Sequence, residues 1–112
     1  MKNILYILSL VLLAINLNSC GSSAANTTKT FKVWGNCDMC KETIEGSLKV
    51  DGIESADWNV ESKIMTVSFD DKKISLDDIQ KNIAAVGYDN EKYKGDDKAY
   101  KELPECCMYD RK

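Results

Sequence analysis

Five cysteines carry the reactive chemistry of this 112-residue chain: Cys20, the pair Cys37 and Cys40, and the neighbours Cys106 and Cys107. The chain contains no histidine, so a Ser-His-Asp triad, a Cys-His pair and an imidazole metal site are all excluded. Soft-metal ligation and thiol redox chemistry must therefore rest on sulfur. The charges point to no other partner class. The 15 basic and 18 acidic residues leave a net −3, are interspersed in sign, and give no basic surface for nucleic acid.

Cys37-Asp38-Met39-Cys40 places two thiols where a strand-like pattern passes into a helical one. A helix N-terminus presents unpaired N–H groups and a partial positive charge, which favour thiolate over thiol. Lys41 adds a cation next to the pair. Two such thiolates converge on one soft ion, Cu(I), Hg(II), Cd(II) or Zn(II), in preference to hard cations. Two ligands alone suit linear Cu(I) or Hg(II) and leave the zinc tetrahedron incomplete. The same spacing also fits a structural disulfide or a redox pair in an oxidising compartment.

The elements that must hold this turn follow from periodicity. Phe31 and Val33 alternate with Lys32 and Trp34, a strand closed by Gly35. Cys40, Ile44 and Leu48 recur every fourth residue on one helical face, and Asp51-Gly52 ends that helix by Val50. The stretches 53–60 and 63–70 read as two strands joined at Glu61-Ser62, with Met65, Val67 and Phe69 sharing one face of the second. Ser75 and Asp78 form a capping box for a second helix carrying Leu76, Ile79, Ile83 and Val86, which ends at Gly87. A last, polar strand covers 88–93. The order βαββαβ predicts an α+β, ferredoxin-like fold, with two helices on one face of a four-stranded antiparallel sheet. Ile44, Leu48, Val67, Phe69, Ile79 and Ile83 are the expected core, while Trp34 and Trp58 fit either the core or the exposed sheet face.

Residues 1–19 have a basic start at Lys2 and an apolar run from Ile4 to Leu17, too short to span a membrane as a helix and laid out as a secretory signal. The run ends in Leu17-Asn18-Ser19-Cys20, which resembles the bacterial lipoprotein box. That resemblance implies a signal peptide over 1–19, a lipidated Cys20, and a protein exported and anchored to a bacterial membrane, facing the periplasm or the cell exterior. Residues 20–29 are small and polar and read as the lipidated end and a flexible tether.

Gly35-Asn36-Cys37-Asp38-Met39-Cys40, opening a helix after a strand, together with Ala85-Val86-Gly87-Tyr88 at the end of the second helix, resembles the heavy-metal-associated domain over residues 30–93. Copper chaperones, periplasmic mercury-binding proteins and the N-terminal modules of metal-transporting ATPases make up that family. The family pattern Gly-Met-x-Cys-x-x-Cys maps onto Gly35, Asn36, Cys37 and Cys40, with Asn36 in place of the methionine that supports the loop. The resemblance implies that Cys37 and Cys40 are the metal ligands and that the metal passes to a partner by thiolate exchange without being released. It also implies that Tyr88 approaches the loop from behind; a plain core tyrosine is the alternative.

Residues 94–112 extend past the family length. Asp96 to Leu103 fits a short helix stopped by Pro104, and Cys106-Cys107-Met108 follows as a compact soft-donor cluster. The return from the far end of the last strand is about 20 Å, and residues 94–105 supply about 25 Å, so Cys106 and Cys107, or one of them, can reach Cys37 and Cys40. A tail that binds metal or docks on its own, and a disulfide across the domain, are the alternatives. The chain therefore reads as a monomeric, non-enzymatic soft-metal carrier or buffer. Cu(I) leads, Hg(II) follows, and Zn(II) or Cd(II) gains if the tail closes. A metal-transporting ATPase or another exchange protein is the expected partner, and thiol-disulfide redox chemistry is the rival activity.

Overall fold

A computed structural model describes residues 26–112. The signal-like segment 1–19, Cys20 and residues 21–25 lie outside the described residues. The described elements run β1 (Asn26–Lys32), α1 (Asp38–Gly46), β2 (Ile53–Trp58), β3 (Ile64–Asp70), α2 (Leu76–Ala85), α3 (Asp97–Lys101) and a 3-10 turn at Glu105–Cys107. The strands form one antiparallel sheet in the order β1-β3-β2. All six expected core residues are at most 2% exposed. The side chains of α1 and α2 meet Phe31, Trp58, Met65, Val67 and Phe69 from the sheet in a single core.

Local chemistry sets these bounds. Ser75 accepts from the Asp78 N–H at 3.0 Å and Asp78 accepts from the Ser75 N–H at 3.3 Å, both halves of the capping box that starts α2. Between β2 and β3, the Asn59 side-chain oxygen accepts from the N–H groups of Glu61 and Ser62, and Lys63 completes the reversal at φ 66°. α1 starts at Asp38, earlier than its apolar stripe indicates, and its regular turns stop at Gly46, although Leu48 still reaches the core.

Two expectations are corrected. Residues 26–29, read as part of the tether, belong to β1 and pair with β3, Thr27 opposite Phe69 and Lys29 opposite Val67. The β-branched Thr27, Thr28 and Thr30 fit that half-exposed edge. The fourth strand over 88–93 is reduced to one bridge, Val33 to Asn90. Asn90 turns the chain away: its side-chain oxygen accepts from the N–H groups of Lys92 and Tyr93, and its own N–H donates to the Tyr93 carbonyl at 2.8 Å. Among the described residues the sheet contains three strands where four were expected.

Candidate metal centre

The loop after β1 is seated on Trp58. Its indole N–H donates to the carbonyls of Val33 at 3.0 Å and Lys63 at 3.2 Å, and the ring is fully buried. A Cβ on Gly35 would lie 2.8 Å from Trp58 Cη2, so only glycine lets the loop pass this close to the ring. Trp34 stays half-buried, with the ammonium of Lys32 4.6 Å from its ring centroid. Cys37 then takes the N-cap of α1 in extended conformation, with no side-chain capping bond, which leaves its sulfur free to meet other sulfurs. Cys40 lies one turn later, fully buried, and its thiol donates to the Asn36 side-chain oxygen at 3.0 Å.

The C-terminal extension returns to this loop. A Cβ on Gly87, at φ 99°, would lie 2.8 Å from the Tyr100 nitrogen, so α3 packs directly on backbone there. The Tyr109 hydroxyl donates to the Gly87 carbonyl at 2.7 Å and accepts from the Asp89 N–H at 2.8 Å. The Tyr109 ring stacks on Tyr88 and meets Tyr100 edge-on, with centroids 5.3 and 5.2 Å apart. Arg111, the chain's single arginine, reaches Asp89 at 3.0 Å and Asp97 at 2.7 Å. These anchors hold the 3-10 turn over the metal loop and place Cys107 there at 1% exposure.

Cys37 Sγ lies 3.5 Å from Cys40 Sγ and 3.7 Å from Cys107 Sγ, and all three sulfurs fall within 4.8 Å of one another. Among the described residues, this is the one group of three or more Cys, Asp or Glu side chains that can close on an ion. With metal–sulfur bonds of about 2.3 Å, a linear pair needs sulfurs about 4.6 Å apart, a trigonal set about 4.0 Å and a tetrahedral set about 3.8 Å. The Cys37–Cys40 and Cys37–Cys107 spacings fit three converging sulfurs better than a linear pair. Cys106 remains exposed outside the triangle, 3.9 Å from Cys107 Sγ, with its carbonyl 3.5 Å from Cys37 Sγ.

The electrostatics rank the thiols. The backbone N–H of Cys40 lowers the Cys37 thiol from its ordinary value, and the Cys40 and Cys107 side chains assist against a smaller cost of burial. Burial raises the Cys107 thiol, and its Cys40 and Cys37 neighbours raise it further. Cys37 is thus readier than Cys107 to be the thiolate. The Tyr88 hydroxyl is buried without a hydrogen-bond partner; burial, then Cys40 and Cys107, raise its ionisation well above the ordinary tyrosine range.

Lys41 was expected as a cation beside the pair, and its geometry corrects that. Its ammonium reaches Glu45 and Asp57 at 2.7 Å each and the Trp58 carbonyl at 2.8 Å, because those acids and that carbonyl offer it a complete set of acceptors. It fastens α1 to the end of β2. Tyr109 and Arg111 were not identified from sequence as parts of the site, and Asn36 was placed in the loop only where the family has its supporting methionine, not as a contact of Cys40. The isolated arginine among lysines was a usable signal for a bidentate anchor, whereas nothing local marks Tyr109.

Residues 30–89 match the heavy-metal-associated domain. The chain belongs to the heavy-metal-associated domain family. It is 38% identical over 64 residues to a copper chaperone CopZ of Staphylococcus saprophyticus, a match covering 55% of this chain and 94% of that protein. The crystal structure of oxidized MerP from Ralstonia metallidurans CH34 is 33% identical at a TM-score of 0.56, covering 60% of this chain and 96% of that one. The N-terminal domain of the zinc(II) ATPase ZiaA is 39% identical at a TM-score of 0.52, covering 58% and 94%. The family match contains Cys37, Cys40 and Tyr88 and stops at residue 89, so Cys107 and the tail that carries it lie beyond it.

Proposed function

We propose that this heavy-metal-associated protein is a soft-metal carrier or buffer, rather than an enzyme, that takes one Cu(I) on Cys37, Cys40 and Cys107 and passes it on by thiolate exchange. The observation that carries this reading is the convergence of those three sulfurs, with Cys107 supplied by the tail. In that three-sulfur complex Cys37, Cys40 and Cys107 all bind as thiolates, any proton on them being released as the bonds to the ion form. Each new thiolate then needs a donor. The unpartnered Tyr88 hydroxyl, set by Cys40 and Cys107, is positioned to supply one, and the Asn36 amide, whose oxygen now accepts from the Cys40 thiol, would supply another on flipping its N–H₂ toward Cys40.

Three sulfurs suit Cu(I) or Hg(II), and a relative named a copper chaperone supports copper first. Zn(II) needs a fourth ligand. Transfer would go to a metal-transporting ATPase or another exchange protein, and a lipid on Cys20 would hold the monomeric domain at a bacterial membrane after export.

Anaerobic titration of the reduced full chain with Cu(I), Hg(II) and Zn(II) against competing chelators, with sulfur counting by X-ray absorption, tests the reading. The expected result is one Cu(I) bound by three sulfurs, and no turnover of a disulfide substrate. A chain in which Cys37→Ser with Cys40→Ser retains full Cu(I) affinity, or one that reduces insulin disulfides catalytically, overturns it. Membrane fractionation of Cys20→Ala tests the anchor: the variant is expected in the soluble fraction.

A further inference from the structure

Two sulfurs stand outside the triangle and close to each other. Cys106 Sγ lies 3.3 Å from Met39 Sδ. Cys106 is exposed, and so is Met39 at 49%, so neither packs against the core. From this pair the sulfurs continue inward in short steps: Cys106 to Cys107 at 3.9 Å, Cys107 to Cys37 at 3.7 Å and Cys37 to Cys40 at 3.5 Å. One ion with metal–sulfur bonds of about 2.3 Å bridges sulfurs up to about 4.6 Å apart, so each step can be spanned by a single ion. Along this path Cys107 and Cys40 are 1% and 0% exposed, while Cys37 between them is half-buried. A donor's ligands cannot reach Cys40 or Cys107 directly.

We propose that Met39 and Cys106 form an outer two-sulfur port through which Cu(I) enters and leaves the inner centre. This rests on the reading of Cys37, Cys40 and Cys107 as that centre. The donors are a neutral thioether and one thiol, a set that favours Cu(I) and offers little to Zn(II). On entry, a Cu–S bond to Cys106 forms as its thiol releases a proton to water and a ligand of the donor leaves, while Met39 takes a second position on the ion. A bond to Cys107 then forms with loss of the Cys107 proton as the Met39 bond breaks. Cys37 binds next with loss of its proton to water, the bond to Cys106 breaks as Cys106 regains a proton from water, and Cys40 completes the three-sulfur set as its thiol releases a proton to water. The copper stays Cu(I) throughout, so no oxidant or reductant takes part.

The test uses the full chain, reduced and free of oxygen, with Met39→Leu, Cys106→Ser and the two combined. Loading is followed by stopped flow from the Cu(I) complex of bathocuproine disulfonate, and affinity by equilibrium competition with the same chelator. The double variant is expected to load Cu(I) about tenfold more slowly, as for loss of groups that serve a metal site without being its final ligands, with affinity for the bound ion unchanged. Met39→Leu is expected to leave Zn(II) loading unchanged. An unaltered Cu(I) loading rate in the double variant removes the port alone. A fall in affinity by the same factor as the rate makes these residues inner ligands and also overturns it. Absence of Cu(I) binding in the unaltered chain removes the inner centre, and the port with it.

Discussion

The Tyr109 hydroxyl donates to the Gly87 carbonyl at 2.7 Å, joining the end of the chain to the turn that closes α2. It also accepts from the Asp89 N–H at 2.8 Å, and burial pushes the Tyr109 ionisation up to about 12, so the hydroxyl keeps its proton at any ordinary pH. Tyr109→Phe keeps the stack on Tyr88 but leaves a buried carbonyl and a buried N–H unpaired. Each such loss costs about 1–3 kcal/mol. For the two together, urea unfolding is expected to show a drop of about 2–6 kcal/mol, with an unchanged slope. A variant as stable as the parent would show that the hydroxyl does not hold the tail.

Cys107→Ser separates the contributions of family residues and tail residue. The substitution keeps side-chain volume but removes a soft donor, so the copper-bound chain is expected to pass from three sulfurs to two by X-ray absorption. Cu(I) affinity is expected to fall about 10- to 100-fold, a range seen even for groups that only support a ligand. Cys106→Ser is expected to keep three sulfurs. Equal sulfur counts in the parent and Cys107→Ser would assign the tail no part in coordination.

Much of the fold was legible because its signals are local. Ile44, Leu48, Ile79 and Ile83 repeat at helical spacing and are all buried, and the Ser75–Asp78 box marks the start of α2 correctly. The site was legible in its residue types and in the reach of its tail, which allowed Cys107 to meet Cys37. What could not be read depends on competition among distant groups. Lys41 looked like a cation for the thiols because Glu45 and Asp57 come to it only in the folded chain. The last strand was assigned on length and topology, while Asn90 and the returning Arg111 and Lys112 bend and cover that edge through contacts made across about twenty residues. Which tail cysteine turns inward depends on the 3-10 turn after Pro104, a detail that periodicity does not encode.

Gly35→Ala tests whether the metal loop is positioned by its contact with Trp58. The added carbon would sit 2.8 Å from a buried, hydrogen-bonded ring, and neither loop nor ring can move freely. Overpacking of this kind costs about 1–3 kcal/mol. Trp58→Phe makes room but gives up the indole bonds to Val33 and Lys63. The two substitutions share one contact, so the double variant is expected to lose less stability than the sum of the singles. Strict additivity in thermal or urea unfolding would show that Gly35 is not there to clear the ring.

Acid should weaken the fold through Asp89. Burial alone would push this fully buried carboxyl up, but the Arg111 guanidinium and the N–H groups of Gly95 and Lys112 outweigh burial and hold it below the ordinary carboxylate range. A carboxylate of depressed pKa stabilises the fold fully above its unfolded value, about 3.9, and that contribution is lost as pH falls through the lower folded value. Removing the cation should reverse the balance. In Arg111→Met the carboxylate keeps its two N–H donors but loses its charge partner, and breaking a buried pair in this way costs about 3–5 kcal/mol near neutrality. Protonation relieves much of that cost, so the stability gap between parent and variant is expected to be widest near about pH 7 and to narrow below about pH 4. Urea midpoints measured across that range read the gap directly. A gap that stays constant into acid would mean that Arg111 secures the tail by packing on Tyr100, 4.6 Å from its ring centroid, rather than by charge.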